Sequence, residues 1–134
     1  MEKNFLDFYK GKKVFITGNT GFKGSWMCKL LSMVGAVVKG YALTPPTEEN
    51  LFEIAGIKNK IISDIGDIND LEKLQKSLWD FAPDIVIHMA AQPIVLDSYR
   101  DPVYTYRTNV MGTVHLLEAV RGCPSVKSLV NVTT

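Results

Sequence analysis

Several features that mark other classes of protein are scarce or absent in this sequence. Its two cysteines, Cys28 and Cys123, have no CxxC or metal-ligand spacing, and its two histidines, His88 and His115, are too isolated to form a metal site. We therefore predict no metal and two reduced, structural thiols. No apolar run reaches the roughly 20 residues that cross a membrane, and no signal-peptide core is present near the amino terminus. These absences predict a cytoplasmic protein without a membrane partner.

Charge of one sign is also scarce. Fifteen basic and 14 acidic side chains give a formal net charge of +1. That balance excludes a strongly basic nucleic-acid binder, and no nucleic-acid partner is expected. With 46% apolar residues, residues 1–134 can bury a core as one globular domain.

Short apolar runs alternate with helical stretches along the chain. Their continuous apolar character indicates strands that are covered on both faces of a parallel sheet. Right-handed crossovers then favour an α/β fold of the Rossmann type, a doubly wound sheet in the order 3-2-1-4-5 with helices on both faces. The five predicted strands are Lys13–Thr17, Val37–Ala42, 60–63, 85–89 and 127–132.

Two helices have clear start and stop signals. The spacing of Asn69 and Glu72 predicts a capping box that opens a helix ending before Pro83. Asp101, followed by proline, opens a long helix that is predicted to run over residues 101–121 and to stop at glycine.

The most informative motif is TGNTGFKGSW over residues 17–26, directly after the first strand. Its glycines have the spacing GxxGxxG. Gly18 can make a tight turn, Gly21 lets the backbone approach phosphate oxygens, and Gly24 permits close packing of the helix. The first N–H groups of the helix would then face the ligand. The motif predicts a site for a dinucleotide pyrophosphate, and a glycine turn without a ligand is the alternative.

Other candidate residues lie after the later strands. Asp64 and Ile65 are predicted to hold the adenine ring, with a polar turn as the alternative. Residues 40–43 offer neither an acid nor a base to the adenosine ribose, so the residues leave NAD and NADP open. We interpret His88 as a core residue that satisfies a hydrogen bond. For Asn109 a structural hydrogen bond to the neighbouring strand and a catalytic role both stay open.

Five segments together resemble the amino-terminal part of the CDP-glucose 4,6-dehydratases, which are extended short-chain dehydrogenase/reductases. The resemblance covers almost the whole chain from about Lys12. It implies a dehydratase that uses NAD to convert CDP-glucose to CDP-4-keto-6-deoxyglucose with loss of water, a precursor for bacterial surface polysaccharide. The segments are TGNTGFKGSW (17–26), GYALTPPT (40–47), IHMAAQP (87–93), TNVMGTVHLLEAV (108–120) and VNVTT (130–134).

The resemblance also implies roles for individual residues. Thr134 matches the catalytic hydroxyl residue that assists oxidation at C4 of the sugar. The residues implied to bind NAD lie in the glycine turn, after the third and fourth strands, on the long helix and after the fifth strand. They are Gly18, Thr20, Gly21, Phe22, Lys23, Gly24, Asp64, Ile65, Met89, Ala90, Ala91, Gln92, Asn109 and Thr133.

Two departures from the family matter. In the family, an acid and a lysine that carry out the elimination follow the position of Thr134, with a YxxxK pair and a sugar-nucleotide domain farther on. Because such acid–base groups are worth about 10²-fold to 10⁴-fold each, we expect these 134 residues alone, a truncated dehydratase, to be inactive. Leu96 and Asp97 stand where the family tends to have arginine and leucine.

A non-catalytic nucleotide-binding or regulatory module is the alternative function.

A homo-oligomer is expected on two grounds. The fifth strand is predicted to be an exposed edge, and an apolar edge invites pairing with another chain. In the family, helices of the region 101–121 pair between subunits. The apolar side chains there, Val110, Val114, Leu116 and Leu117, could face a partner or the sheet.

Overall fold

The computed structural model describes residues 4–133, so the predicted role of Thr134 falls outside the described residues. Five strands form one parallel sheet in the order β3-β2-β1-β4-β5. This order and the helices on both faces confirm the predicted Rossmann-type α/β fold. The strands are β1 (Lys13–Thr17), β2 (Val37–Ala42), β3 (Ile62–Ile65), β4 (Ile85–His88) and β5 (Ser128–Asn131).

Helices connect these strands on both faces of the sheet. Among residues 4–133, no helix has both the length and the apolar character that crossing a membrane requires. The same residues contain no group of three or more His, Cys, Asp or Glu side chains placed to hold a metal ion. The helices are α1 (Phe22–Met33), α2 (Leu51–Ile54), α3 (Leu71–Phe81), α4 (Val95–Arg100), α5 (Pro102–Tyr106) and α6 (Gly112–Arg121), with 3₁₀ turns at Phe5–Tyr9 and Ile57–Asn59 and a π segment at Arg107–Met111.

The core consists of two clusters, one on each face of the sheet, because alternate side chains of a strand point to opposite faces. Phe15, Tyr41 and Val86 pack with α3 and α6 on one face. On the other face the strand residues pack with α1 and α2. Each fully buried large apolar side chain stabilises the fold by about 1.5–3 kcal/mol before the entropy cost of ordering it. The strand residues of the second face are Val14, Ile16, Val38, Ile85 and Ile87.

The two edge strands, β3 and β5, are more exposed to solvent than their apolar sequences predicted. Ile62 and Ile65 on β3 keep exposed fractions of 51% and 45%, and Val130 on β5 keeps 49%. Val130 stands beside Ile87 in the register and so shares the face on which α1 and α2 pack. The prediction of full cover was therefore wrong for β3 and β5, since an edge strand has a neighbour on one side only.

Strand β3 begins two residues later than predicted. The backbone N–H of Lys60 donates to the Ile57 carbonyl at 2.8 Å, which ends a 3₁₀ turn rather than starting a strand. Asp64 and Ile65 consequently lie inside β3 and not after it. The predicted position of these two residues in a loop was wrong.

Helix α3 begins one residue later than a capping box on Asn69 implies. The Asp70 carboxylate accepts from the backbone N–H of Lys73 at 3.1 Å and caps the helix. The Asn69 N–H instead donates to the Asp67 carboxylate at 2.8 Å. Ala82, in the left-handed conformation with φ 50°, ends the helix before proline as predicted.

The long helix over residues 101–121 is present, and it contains a feature that the sequence pattern does not predict. The Asp101 carboxylate accepts from the Tyr104 N–H at 2.9 Å, and proline occupies the first turn, as predicted. Between α5 and α6 the residues Arg107–Met111 form a wider π turn. Such single π turns in helices occur often at functional sites, and Asn109 lies in the middle of this one.

Candidate functional site

The candidate site lies at the carboxyl edge of the sheet, between β1 and β4, where the strand order reverses. Open α/β sheets bind ligands at this place. Two loops meet there: the glycine turn, residues 18–21, between β1 and α1, and the β4 loop, residues 89–94, between β4 and α4.

Two glycines of the motif are required by the fold itself. Gly18 has φ +78°, and its N–H donates to the Tyr41 carbonyl at 3.0 Å. A Cβ on Gly18 would lie 2.8 Å from the backbone nitrogen of Ala90, so the turn touches the β4 loop directly. A Cβ on Gly24 would overlap the Gly18 carbonyl. Both glycines therefore have the conformational and packing reasons that the spacing predicts.

Gly21 differs from the other two glycines. Its φ of −76° is open to any residue, and an added Cβ would meet one neighbouring atom, the Gly18 carbonyl oxygen, at an ordinary 3.5 Å. In the described part of the chain no side chain caps α1, whose N-cap is Gly21. The first N–H groups of a helix carry partial positive charge and have no partner within the helix. The bare Gly21 leaves them open to an anion.

A cleft of about 200 Å³ opens beside the glycine turn. One wall is the turn with the start of α1, and the other is the loop that leads from β2 into α2. The Thr20 hydroxyl donates to the Leu43 carbonyl at 2.8 Å and so ties the turn to the end of β2. Phe22, which lines the cleft, and the next residue, Lys23, are exposed. The lining residues are Thr20, Gly21, Phe22, Pro46, Thr47, Glu49, Asn50 and Leu51.

The Asp64 carboxylate is bound within the fold. It accepts from the Ser77 hydroxyl of α3 at 2.6 Å and pairs with the Lys39 ammonium at 2.9 Å. Partial burial acts to raise the pKa of Asp64, but the hydrogen bond from Ser77 and the nearby Lys39 outweigh it and lower the pKa. Lys39 also donates to the Ser77 carbonyl at 3.0 Å. These contacts hold Asp64 against α3, away from the loop position that an adenine-binding residue was expected to have.

Asp67 is the acid that follows β3, and it is not among the candidate residues predicted from the sequence. It is half-buried, and its carboxylate accepts from the backbone N–H and the side-chain amide of Asn69 at 2.8 and 3.1 Å. Its carbonyl accepts from the Tyr41 hydroxyl at 2.9 Å. The signal was present as a second Asp-Ile pair three residues after the first. Choosing between the two pairs needed the true end of β3.

The β4 loop is held by side chains at both of its ends. The Thr17 hydroxyl oxygen accepts from the N–H groups of Met89 and Ala90, both at 3.1 Å. The side-chain amide of Asn109 accepts from the Gln92 N–H at 2.8 Å and donates to the Gln92 carbonyl at 3.1 Å. Asn109 thus makes a structural hydrogen bond, as one of its two interpretations predicted, although to the loop after β4 rather than to a strand.

The Gln92 side chain adds a second amide contact. Its Nε2 donates to the Ile94 carbonyl at 3.1 Å and to the Thr105 hydroxyl at 3.0 Å. Ala91 is exposed between the two held positions, while Met89 and Ala90 are half-buried. The loop therefore presents a fixed stretch of backbone at the carboxyl edge of the sheet.

The remaining candidate residues have different surroundings. His88 is 3% exposed and bonded to two hydroxyl groups, as expected for a core histidine, and burial lowers its pKa. Thr133 is exposed two residues beyond β5. Leu96 and Asp97 lie on α4 at the surface, where Asp97 is 3.8 Å from the Arg100 guanidinium.

The chain matches a known protein family. Residues 15–134 match the family model described as GDP-mannose 4,6 dehydratase. A CDP-glucose 4,6-dehydratase of Salmonella typhimurium is 56% identical over 128 residues, which cover 96% of this chain and 36% of that protein. A GDP-mannose 4,6-dehydratase of Vibrio cholerae is 33% identical over 116 residues, 82% of this chain and 31% of its own length.

Solved structures with the same fold include two nucleotide-sugar epimerases. A UDP-glucose 4-epimerase from Stenotrophomonas maltophila, with bound NAD and formylated UDP-arabinopyranose, is 27% identical with a TM-score of 0.78 over 90% of this chain and 36% of that one. A UDP-glucose 4-epimerase from Brucella ovis in complex with NAD is 31% identical with a TM-score of 0.77 over 90% of this chain and 35% of that one.

The chain spans about a third of the length of these relatives, 36% for the Salmonella protein. The part that it spans contains the glycine turn, the β4 loop and the sheet that positions them. By the match over residues 15–134, the chain belongs to the GDP-mannose 4,6-dehydratase family.

Proposed function

We propose that this chain is the NAD-binding part of a CDP-glucose 4,6-dehydratase. Its similarity to the Salmonella dehydratase supports CDP-glucose as the substrate. The geometry of the glycine turn and the β4 loop supports NAD as the cofactor. The observation that carries the proposal is Gly21, which neither its backbone angles nor its neighbours in the fold require to be glycine. A phosphate at the uncapped end of α1 supplies the missing reason, because a side chain there would block its approach.

The proposal assigns the dinucleotide to the edge between β1 and β4. The glycine turn and the first turn of α1 bind the pyrophosphate, and Lys23 adds a positive charge beside it. Asp67 takes the adenine-side role that the sequence had assigned to Asp64, and Ile65 is kept as a contact for the adenine face. Asn109 acts through the loop that it holds. The other assigned contacts are Thr20 and Phe22 near the phosphates, and Met89, Ala90, Ala91, Gln92 and Thr133 near the ribose and nicotinamide.

NAD is favoured over NADP by the charges at the end of β2. A 2′-phosphate needs a basic partner there, yet residues 43–50 contain two glutamates and no lysine or arginine. Lys39, the nearest cation along β2, is 8% exposed and paired with Asp64. The 2′-phosphate of NADP would therefore meet acidic side chains without a compensating cation.

The chain's own residues would bind and orient the cofactor. Bound NAD supplies the hydride acceptor that oxidation of the sugar requires. Thr134 is proposed as the hydroxyl that assists this oxidation. We also propose that the 134 residues alone do not dehydrate CDP-glucose, because the family's acid, lysine and YxxxK pair stand after the position of Thr134.

Calorimetric titration of the chain with NAD and NADP tests the cofactor assignment. We expect NAD to bind more tightly, and a Gly21→Ser variant to bind it roughly 10-fold to 100-fold more weakly, because serine would cap the N–H groups that the phosphate needs. Serine is a favourable N-cap residue, so the variant should keep its thermal stability. Equal affinities for both nucleotides, or unchanged NAD affinity in Gly21→Ser, would contradict the assignment.

We further propose that the protein is a cytoplasmic homo-oligomer of nucleotide-sugar metabolism, with a role in polysaccharide biosynthesis. Of the four apolar residues in question on α6 and the π segment, Leu116 is buried at 1% exposure. Val110, Val114 and Leu117 keep exposed fractions of 51%, 47% and 49% and so face away from the sheet. A helix face of this kind supports pairing between two copies. A monomeric mass in light scattering at working concentration would contradict this part of the proposal.

The two cysteine thiols support the proposed cytoplasmic location. Cys28 and Cys123 are both free and buried, which supports a reducing compartment. Burial raises the pKa of the Cys28 thiol to about 12, so this side chain is an unreactive part of the core.

A further inference from the structure

His88 lies at the centre of a closed set of hydrogen bonds that the proposed NAD site does not use directly. Its Nδ1 is 2.6 Å from the Thr17 hydroxyl oxygen. That oxygen already accepts from the Ala90 N–H and from the Met89 N–H, which it shares with the Thr17 carbonyl. A hydroxyl has two acceptor positions and one proton. The Thr17 proton is therefore the one that goes to Nδ1 of His88.

This assignment determines the tautomer of His88. With Nδ1 as acceptor, the neutral ring carries its proton on Nε2, which lies 3.1 Å from the Thr113 hydroxyl oxygen. Thr113 in turn donates to the Asn109 carbonyl in the π segment at 3.1 Å. Each group in this series has the donor or acceptor that its neighbour requires. The ring is 3% exposed, and its burial favours the neutral form.

The two ends of this series of hydrogen bonds both bind the β4 loop. Asn109, whose carbonyl ends the series, binds the backbone of Gln92 through its side chain. Thr17, at the other end, binds Met89 and Ala90. Residues 89–92 are thus held at both ends by groups that His88 connects across the sheet.

We propose that His88 is a positioning residue: as the Nε2–H tautomer it joins Thr17 to Thr113 and thereby sets the backbone of residues 89–92, against which the nicotinamide half of the dinucleotide packs. The last clause rests on the proposed NAD site, whereas the hydrogen-bond series does not. A histidine that only fills space would be replaced without loss by an apolar ring, since it would need neither partner.

Nitrogen-15 NMR of the imidazole in the ligand-free chain tests the series without NAD. We expect one Nε2–H tautomer that persists to a pH below the ordinary range for histidine, since burial lowers the pKa of His88. A mixture of tautomers, or the Nδ1–H form, would overturn the proposal.

Two conservative variants remove the contact between the ring and Thr113 and leave an acceptor for Thr17 in place. His88→Asn keeps an acceptor near the Nδ1 position for Thr17 and removes the donor to Thr113. Thr113→Val removes the same contact from the other side, together with the bond from the hydroxyl to the Asn109 carbonyl, with little change of volume. Both should speed hydrogen exchange of the Gln92 amide and weaken NAD binding by about threefold to tenfold, as expected for the loss of one net hydrogen bond. Ser128→Ala, at an exposed serine where β5 begins, is the control and should change neither quantity.

The double variant decides whether the contacts act together. If His88 acts through Thr113, His88→Asn combined with Thr113→Val should cost less than the sum of the two single changes and no more than Thr113→Val alone. Additive losses, or unchanged Gln92 exchange in both single variants, would overturn the proposal. If the wild-type chain does not bind NAD at all, the proposed function fails, and the tautomer and the exchange rates still decide whether His88 holds the loop.

Discussion

The glycine turn and the β4 loop meet at one edge of the sheet and are built by opposite means. The turn is shaped by missing side chains, since the space a Cβ would take at Gly18 and Gly24 is filled by backbone. The β4 loop is shaped by side chains that arrive from elsewhere, and Asn109 reaches Gln92 across 17 residues of sequence. A local sequence motif therefore predicts the shape of the glycine turn, whereas the contacts that shape the β4 loop are seen only in the folded structure.

The largest expected effect separates two glycines of the same turn. Gly24→Ala would place a methyl group on the Gly18 carbonyl, and we expect it to lower the free energy of unfolding by about 3 kcal/mol. Gly21→Ser should change that free energy by less than about 0.5 kcal/mol. Urea denaturation of both variants measures the difference. Equal stabilities would mean that backbone packing does not shape the turn.

A smaller effect is expected at the β4 loop. Asn109→Ala removes both hydrogen bonds to the Gln92 backbone, and we expect a loss of about 1–3 kcal/mol together with faster exchange of the Gln92 amide. Asn59→Ala, at an exposed asparagine, is the control and should stay within about 0.5 kcal/mol. If Asn109→Ala leaves the Gln92 exchange rate unchanged, the loop is held by other contacts.

The smallest expected effect concerns Asp64 and depends on pH. Because its pKa is lowered in the folded state, its contacts add stability above the ordinary carboxyl pKa of about 4, and this stability is lost as the pH falls through the lowered value. Asp64→Asn should therefore flatten the acid side of the stability curve. The effect is small because the Asp64 side chain keeps 39% exposure and solvent screens the ion pair.

Asp64→Asn also tests which of two carboxylates, Asp64 or Asp67, contacts the adenine. Asp64→Asn should leave NAD affinity unchanged, whereas Asp67→Asn should weaken it, because Asp67 is the acid that follows β3. Titration of both variants with NAD provides the comparison. A weaker affinity in Asp64→Asn alone would restore the assignment made from the sequence.

Much of the fold could be predicted because its signals are local. The bounds of β1 and β2 agree with the prediction, and so does the strand order, which follows from the right-handedness of parallel crossovers. The start of β3 could not be placed, because an apolar run does not show that Lys60 ends a 3₁₀ turn. That error of two residues is why the sequence assigned the adenine contact to Asp64, whereas we propose Asp67.

The sequence by itself determined the fold class, the glycine turn and the family resemblance, because glycine spacing and apolar periodicity act over a few residues. Tertiary structure alone decided which acid follows β3, which face of α6 is buried, and how Thr17, His88 and Thr113 connect. The last of these outcomes depends on hydrogen bonds between residues far apart in sequence, such as the 71 positions between Thr17 and His88. Such partners are chosen only when the sheet brings the strand ends together.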